Sequence, residues 1–369
     1  MQILYYGIML YLNRNSFIHL TIYSIFFGSS KVYSKSSNNI FISQIARLYS
    51  MRINSFKEKI ILKNNYSSIE FEKSGRRAWI NGTMIFLHEP CKKSGSDWFI
   101  YESDFKLYID PILRSYKYVS KKVPKKIVLD PGHGGKDSGA ISEKKLLEKE
   151  VVLTISKYTK KLLERHGFDV YMTRYNDYYT SLDERVNFTK KIKADLFLSI
   201  HANAATPSAM GVETFITTLS GHDSSNHYGK KNDKSSCPNN QFNAANAILG
   251  YAIQSNLLKT SSRKDRGLRR ARFSVIRNSP CPAALVECGF LSNAEESNLL
   301  NDKKYYLFVN SSKQKKEIDI SELNFSYQYK LNLKNFTDIF KNDFSFFNFK
   351  KDTNPYAFEP LEIKFIEDK

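Results

Sequence analysis

The feature that most constrains the fold is an alternation of short apolar runs with amphipathic stretches between residues 127 and 286. Runs such as IVLD (127–130) and ADLFLSI (194–200) are typical of buried strands, whereas residues 150–165 repeat apolar side chains at helical spacing. Further strands are predicted at 168–173, 211–217 and 283–286. Further helices are predicted at 242–259 and at 182–193, where Ser181 and Glu184 are expected to form a capping box. This order predicts an α/β fold with a mostly parallel central sheet flanked by helices.

The residues before this alternation favour short strands. Asn81-Gly82 separates two strand-like runs, which is a strong hairpin signal, so residues 51–120 are predicted to form a small, stalk-like β-rich domain. Residues 36–50 are predicted to be a polar linker. A lysine-rich connector at 121–126 leads into a second domain over 126–303. Residues 304–369 lack clear periodicity and are predicted to be a divergent C-terminal extension.

The N-terminus resembles a secretory signal. Arg14 precedes an apolar run from Phe17 to Gly28, which is followed by two small serines. This run is short for a membrane span. Residues 1–35 are therefore predicted to be a signal peptide or an N-terminal anchor. The protein is then exported to the periplasm or cell envelope, and it contacts a membrane only through this segment.

Charge and cysteine content restrict the partners and the redox chemistry. The net charge of +19 favours polyanionic partners, although a Lys- and Asn-rich genome could produce the same bias. The sequence contains no recognised nucleic-acid-binding motif, so we expect no nucleic-acid partner. The four cysteines have no CxxC spacing, which disfavours a structural cysteine–zinc site. A Cys281–Cys288 disulfide and isolated buried thiols both remain open.

Two histidines follow predicted strands directly. His133 lies in DPGHGG (130–135), whose glycines permit tight turns, and His201 lies in SIHAN (199–203). Ligands of open α/β sheets bind at the carboxyl ends of the strands. The sequence therefore predicts that both histidines reach one edge of the sheet, where they could hold a metal ion. Taken singly, each histidine is more often an ordinary polar loop residue.

Two glutamates complete the candidate site. Glu148 lies at the start of the helix that follows the DPGHGG loop, and Glu287 ends the last predicted strand within LVECGF. Two imidazoles and one carboxylate with an open fourth position form a catalytic zinc arrangement. A further carboxylate could act as the general base. Alone, Glu148 could serve the helix dipole and Glu287 could belong to a buried ion pair.

An ordered series of segments resembles the zinc-dependent N-acetylmuramoyl-L-alanine amidases of the amidase-3 type. The segments are IVLDPGHGGKDSGA, LLEKEVVL, TRYNDYYTSLDERV, ADLFLSIHANA, GVETFI, DRGLRRARFSVIRN and PAALVECGFLSN. The resemblance covers nearly half of the chain and departs from the family pattern after Tyr306. It implies one Zn²⁺ ion held by His133, Glu148 and His201, and a catalytic Glu287.

The resemblance implies an enzyme that hydrolyses the amide between N-acetylmuramic acid and L-alanine in peptidoglycan, for cell-wall remodelling or daughter-cell separation. The alternatives are a catalytically silent peptidoglycan-binding regulator with the same fold and a zinc carboxypeptidase. Arg277 is a weaker candidate for orienting the substrate, or else an ion-pair partner. The polar insertion at 219–240 is predicted to be a mobile surface loop on which an activator protein could act.

Overall fold

The computed structural model describes residues 39–118, 124–225, 233–261 and 263–302, which fall within one compact unit. The predicted signal segment (1–35) and the predicted C-terminal extension (304–369) lie outside these residues. Among the residues that are described, no helix is both long and apolar enough to cross a membrane.

Eight short strands occupy the N-terminal part of the chain. They are β1 (Asn39–Phe41), β2 (Arg52–Ser55), β3 (Lys59–Lys63), β4 (Ser68–Glu72), β5 (Arg77–Ile80), β6 (Thr83–Phe86), β7 (Lys92–Ser94) and β8 (Asp97–Tyr101). Strands β2 to β6 form an antiparallel meander, and the predicted Asn-Gly hairpin joins β5 to β6. Strands β1, β8 and β7 form a separate small sheet. Helical turns follow β8 at Glu102–Asp104, Phe105–Ile109 and Asp110–Leu113.

Six strands form the second part of the chain. They are β9 (Lys126–Pro131), β10 (Asp169–Met172), β11 (Leu196–Asn203), β12 (Val212–Thr217), β13 (Asp265–Ala271) and β14 (Ala283–Phe290). Parallel pairing joins β10, β9, β11 and β14, and also β12 and β13. Because β12 runs antiparallel to β14, the sheet is mixed. The predicted α/β fold is confirmed.

The two sets of strands share one sheet. Strand β13 pairs with β6 through Leu268 and Ile85, so the eleven strands run in the order β10-β9-β11-β14-β12-β13-β6-β5-β4-β3-β2. Strands from both sides of the predicted domain boundary therefore belong to the same sheet. The division of the chain into domains stays a prediction.

The helices are α1 (Ile42–Leu48), α2 (Glu148–Arg165), α3 (Leu182–Ile192), α4 (Asn243–Ser261), α5 (Ser274–Arg277) and α6 (Ala294–Asn301). Helices α2, α3 and α4 were predicted, with ends that differ from the structure by no more than two residues. Helix α3 begins with the predicted capping box, in which Ser181 and Glu184 satisfy each other's backbone N–H groups. Helix α2 buries the apolar stripe that its sequence predicts.

Two predictions need correction. The linker at 36–50 is wrong from residue 39 onward, because β1 and α1 occupy it and α1 buries Ile42, Ile45 and Ala46. The insertion at 219–240 is not a surface loop at its described ends, where Leu219 and Asn239 are buried. Of the two alternatives left open for Cys281 and Cys288, the structure has the free thiols, and all four cysteines are free among the described residues.

Strand β13 was not predicted, because DRGLRRA is too polar to resemble a buried strand. The tertiary structure resolves this conflict by giving its arginines partners. Arg270 is fully buried, stacks 4.1 Å from the centre of the Tyr108 ring and donates to the Thr217 carbonyl. Arg269 pairs with the Glu213 carboxylate at 3.0 Å. Burying these guanidinium groups is tolerated because Arg269 has an ion-pair partner and Arg270 has a ring and a carbonyl as partners.

A pair of buried histidines joins the N-terminal strands to the start of the insertion. The His88 and His222 rings lie 4.4 Å apart between centres. His88 also contacts Asp104 at 2.6 Å, and His222 Nε2 lies 3.3 Å from the Ser103 hydroxyl. Burial and the neighbouring His88 lower the pKa of His222 to about 4. Burial likewise lowers the pKa of His88, although Asp104 opposes this shift.

These histidines should make the stability of the fold depend on pH. An exposed histidine has a pKa of about 6.5. Between about pH 4 and 6.5 the unfolded chain therefore binds a proton at His222 that the folded chain does not, so the stability falls as the pH drops through this window. The charged groups that act on His222 are Asp104, Arg270 and Glu89, besides His88 itself.

We expect His222→Gln to lose less stability than the wild type between pH 7 and pH 4.5, because the substitution removes one group that protonates only on unfolding. Urea unfolding midpoints at the two pH values measure this difference, whatever the variant's stability at pH 7. Equal losses in the two proteins would contradict the assignment.

Candidate metal centre

The first histidine is placed by the loop that leaves β9. His133 has a positive φ of 59°, and the two glycines after it also have positive φ, so the chain turns sharply just beyond the sheet edge. Buried arginines hold this turn from behind. Arg185 donates to the carbonyls of Pro131 and His133, and Arg174 donates to those of Pro131 and Gly132.

Asp130 anchors the same loop at the end of β9. Its Oδ1 accepts hydrogen bonds from Thr173 at 2.6 Å and from Arg185 at 2.7 Å, and its Oδ2 accepts from Ser199 at 2.8 Å. Both members of the Asp130–Arg185 ion pair are almost completely buried. These bonds link β9, α3, β11 and the segment after β10. The position of His133 therefore depends on partners that are distant in sequence.

The second histidine lies on β11. Strand β11 pairs with β9 through Ser199 and Asp130, so His201 extends beyond the same edge of the sheet as the DPGHGG loop. The His133 and His201 rings are 4.9 Å apart between centres. Gly132 makes this approach feasible, since a Cβ atom there would lie 2.2 Å from Cε1 of His201. The two histidines therefore lie close together at one edge of the sheet, as the sequence predicts.

Glu148 lies between the two histidines. Its Oε2 is 3.1 Å from His133 Nε2, and its Oε1 is 2.9 Å from His201 Nδ1. The backbone N–H groups of Ala140 and Ala202 also donate to this carboxylate. Burial alone would raise the pKa of Glu148, but the hydrogen bonds from both histidines outweigh burial and hold the pKa well below its usual range.

A further carboxylate orients His133 from outside. Asp137 Oδ2 lies 2.8 Å from His133 Nδ1, and the backbone of Gly134 and Asp137 closes this short turn with two hydrogen bonds. Burial opposes protonation of His133, but Glu148 and Asp137 together raise its pKa. The contact fixes the ring so that Nε2 faces Glu148. Such outer carboxylates are the usual second partner of metal-binding histidines.

Glu287 lies on β14, beside His201. The two residues are register partners across β11 and β14, so both side chains are on the same face of the sheet. The residue is partly exposed, but its Oε2 atom is buried and has no hydrogen-bond partner. Burial of the carboxyl group, together with the charges of Glu148 and Glu213, raises the pKa of Glu287 well above its usual value.

Sequence reasoning did not find Glu213. It is the register partner of Glu287 on the other side, across β12, and it is buried. Unlike Glu287, it has ion-pair partners. Arg266 and Arg269 lie 3.1 and 3.0 Å away, and the Asn203 amide donates to it at 2.7 Å. Its presence in the GVETFI segment was the only signal in the sequence. Glu213 thus separates the candidate site from the positive charges on β13.

Arg277 contacts a different part of the chain. It lies in α5, and its guanidinium is 3.3 Å from Asp233 at the end of the insertion. Of the two readings that the sequence left open, the ion-pair partner is the one that this contact favours.

The side chains around Glu148 fit a metal ion. One ligand atom from each of His133, Glu148 and His201 lies within 4.8 Å of the others, and this is the one such group among the described residues. Gly139 leaves the space open, because a Cβ atom there would lie 2.5 Å from Glu148 Oε2 and 2.6 Å from the His133 ring. Two imidazoles and a carboxylate suit Zn²⁺. On the adjacent strand, the Oε2 atom of Glu287 has no hydrogen-bond partner.

The mixed sheet of this α/β fold carries, at one edge, three residues that could hold a metal ion and a separate carboxylate, an arrangement suited to hydrolysis. The family model for N-acetylmuramoyl-L-alanine amidase, Amidase_3, matches residues 127–312. The chain belongs to this family of cell-wall amidases.

Named relatives agree with this assignment. A probable cell wall amidase, LytH of Staphylococcus epidermidis, is 37% identical over 252 residues, covering 68% of each chain. The N-acetylmuramoyl-L-alanine amidase LytC of Bacillus subtilis is 39% identical over 181 residues, covering 48% of this chain and 32% of LytC. The chain thus matches about a third of the length of LytC and about two thirds of LytH.

One solved structure with a similar domain is the catalytic domain of CwlV, an N-acetylmuramoyl-L-alanine amidase from Bacillus (Paenibacillus) polymyxa var. colistinus. Its sequence is 30% identical to this chain, with a TM-score of 0.39, and the match covers 49% of this chain and 89% of that domain.

The space left by Gly139 gives a test of the metal site. We expect Gly139→Ala to weaken Zn²⁺ binding at least tenfold, because the added methyl group would displace Glu148 and His133. Competition with a chromophoric chelator measures the affinity. Gly95→Ala is the matched control, since Gly95 has a similar φ of 60° but open space around it.

Both alanine variants should lose about 1–2 kcal/mol of stability, because alanine is strained at positive φ. Equal zinc affinities in the two variants would remove Gly139 from the site.

Proposed function

We propose that this protein is a zinc-dependent amidase that cuts peptidoglycan between N-acetylmuramic acid and the L-alanine of the stem peptide. His133, Glu148 and His201 hold one Zn²⁺ ion, and Glu287 is the catalytic base. Family membership supports the substrate class. The observation that carries the proposal is the pairing of a complete His-Glu-His set with a second, unpaired carboxylate on the adjacent strand.

The chemistry requires activation of both water and the amide. When bound, Zn²⁺ supplies a Lewis acid that polarises the amide carbonyl and makes water a better nucleophile at neutral pH. Glu287 takes the proton of the attacking water and later delivers it to the departing nitrogen of L-alanine. A general base of this kind contributes about 10²–10⁴-fold to the rate.

The surrounding residues of the chain prepare this site before substrate arrives. Asp137 holds the His133 ring in one orientation, and the Ala140 and Ala202 N–H groups fix the Glu148 carboxylate. Glu213 is held in place by Arg266, Arg269 and Asn203, so the carboxylates on β14 and β12 keep their spacing. Preorganisation of this kind lowers the cost of reaching the transition state.

The cellular setting is part of the same proposal. An enzyme of this type acts outside the cytoplasm, in the periplasm or cell envelope, during cell-wall remodelling or daughter-cell separation. Export would depend on residues 1–35, and an activator protein would act on the 219–240 insertion. The positive net charge supports attraction to the acidic cell wall.

The competing proposal is a silent, peptidoglycan-binding regulator that has kept the amidase fold. Proteins of that kind would be expected to have lost a ligand or the base. The retention of His133, Glu148, His201 and Glu287 in one place favours the enzyme.

We expect the full chain to release stem peptides with a free N-terminal L-alanine from purified peptidoglycan when Zn²⁺ is present, and to stop when a chelator removes it. Mass spectrometry of the soluble products measures this release. We expect Glu287→Gln to lower the rate about 10²–10⁴-fold while zinc binding persists, because Gln cannot accept the water proton. Glu295→Gln, an exposed position in α6, is the control and should keep the wild-type rate.

A folded, zinc-loaded protein that binds peptidoglycan but releases nothing would favour the regulator. Full activity in Glu287→Gln would instead remove Glu287 as the base and leave the amidase assignment standing.

A further inference from the structure

Exposed aromatic side chains are concentrated on one segment beside the metal site. Eight large apolar or aromatic residues are exposed among the described residues, and four of them lie between Tyr175 and Leu182. Tyr175, Tyr178 and Tyr179 are 42%, 45% and 49% exposed. Exposed apolar groups scattered singly need no explanation, but a cluster marks a binding surface. We call these three tyrosines the tyrosine platform.

The platform is in direct contact with the loop that presents His133. A Cβ atom on Gly134 would lie 2.3 Å from the Tyr178 carbonyl oxygen, and one on Gly135 would lie 2.6 Å from the Tyr179 nitrogen. The two backbones therefore touch at glycines that immediately follow the metal ligand. The platform is a continuation of the candidate site.

Polar contacts fix the segment in this place. Asp177 accepts a hydrogen bond from the Gly135 N–H and another from the Lys149 ammonium, both at 2.7 Å. Lys149 follows the ligand Glu148 in α2, and its carbonyl accepts from the buried Arg174. The segment that carries the tyrosines is thus anchored to the loop of His133 and to the start of α2, which carries Glu148. A ligand that lies on them would keep a constant distance from the reacting bond.

The side chains of the platform suit sugar rings. A tyrosine ring offers a flat apolar face and a polar tip, and it loses little conformational entropy on binding. Sugar rings have the complementary form, with an apolar C–H face and hydroxyl groups around the rim. The Lys136 ammonium lies 5.1 Å from the centre of the Tyr179 ring and adds a donor at the edge of the platform.

We propose that the tyrosine platform binds the glycan strand of the substrate by stacking of sugar rings, next to the N-acetylmuramic acid whose amide is cut. This inference rests on the proposed amidase function and names a substrate subsite for it. It predicts that the enzyme prefers polymeric glycan over substrates with a single sugar.

Binding of peptide-free glycan strands to the full chain tests the platform without requiring catalysis. We expect Tyr178→Ala/Tyr179→Ala to bind these strands about tenfold more weakly than the wild type, because two stacking faces are lost. Tyr178→Phe/Tyr179→Phe should bind nearly as well as the wild type, since the rings remain. Phe56→Ala is the matched control, because Phe56 is also exposed but follows β2 at the opposite end of the sheet.

Kinetics give a second readout. In the double alanine variant, kcat/KM for polymeric peptidoglycan should fall about tenfold more than kcat/KM for a substrate with one sugar. Glycan binding equal to that of the wild type would overturn the proposal, as would equal kinetic losses on both substrates. Weaker binding of free stem peptides, with glycan binding intact, would also overturn it and assign the platform to the peptide.

The two proposals fail separately in these experiments. If the wild type releases stem peptides and the alanine variant binds glycan normally, the platform is wrong and the amidase stands. If the wild type releases no stem peptides, the amidase is wrong, whatever the glycan binding.

Discussion

The buried carboxylate of Asp130 is the interaction on which the rest of the site depends. It ends β9 and collects hydrogen bonds from Thr173, Arg185 and Ser199, which belong to three other parts of the sheet and its helices. Removing one member of a buried ion pair costs about 3–5 kcal/mol, because the other charge is left without a partner. Arg185 also donates to the His133 carbonyl. The contacts that hold this edge of the sheet together therefore also place His133, the first candidate metal ligand.

The same sheet edge gives two carboxylates opposite properties. Glu148 receives hydrogen bonds from two histidines and two backbone amides, so it stays ionised and suits a metal. Glu287 lies on β14, beside the strand that carries His201. Its burial and two nearby carboxylates raise its pKa, and one of its oxygens is buried without a hydrogen-bond partner. Different surroundings thus suit two glutamates to different proposed roles, Glu148 to that of a metal ligand and Glu287 to that of the base.

The N-terminal strands extend this sheet away from the metal site. Their junction depends on polar groups that are buried in pairs, namely Arg270 on Tyr108 and His88 on Asp104. The insertion begins at the same junction, where Arg272 donates to the carbonyls of Leu219 and His222. The tyrosine platform follows β10, which is the edge strand at the end of the sheet away from the N-terminal strands. The candidate metal site therefore lies between this junction of buried polar groups and the exposed tyrosines.

The sequence by itself determined the elements whose signal is local. Apolar spacing predicted α2, the Ser181–Glu184 pair predicted the start of α3, and DPGHGG and SIHAN predicted which histidines reach the sheet edge. Only the tertiary structure decided which partners lie beside them. The arginine-rich β13, the helix within the supposed linker, the antiparallel β12 and the row from Glu213 to Glu287 all depend on residues far away in sequence. The physical reason is that periodicity reports which face of an element is apolar, whereas the pairing of buried charges is decided when the elements meet.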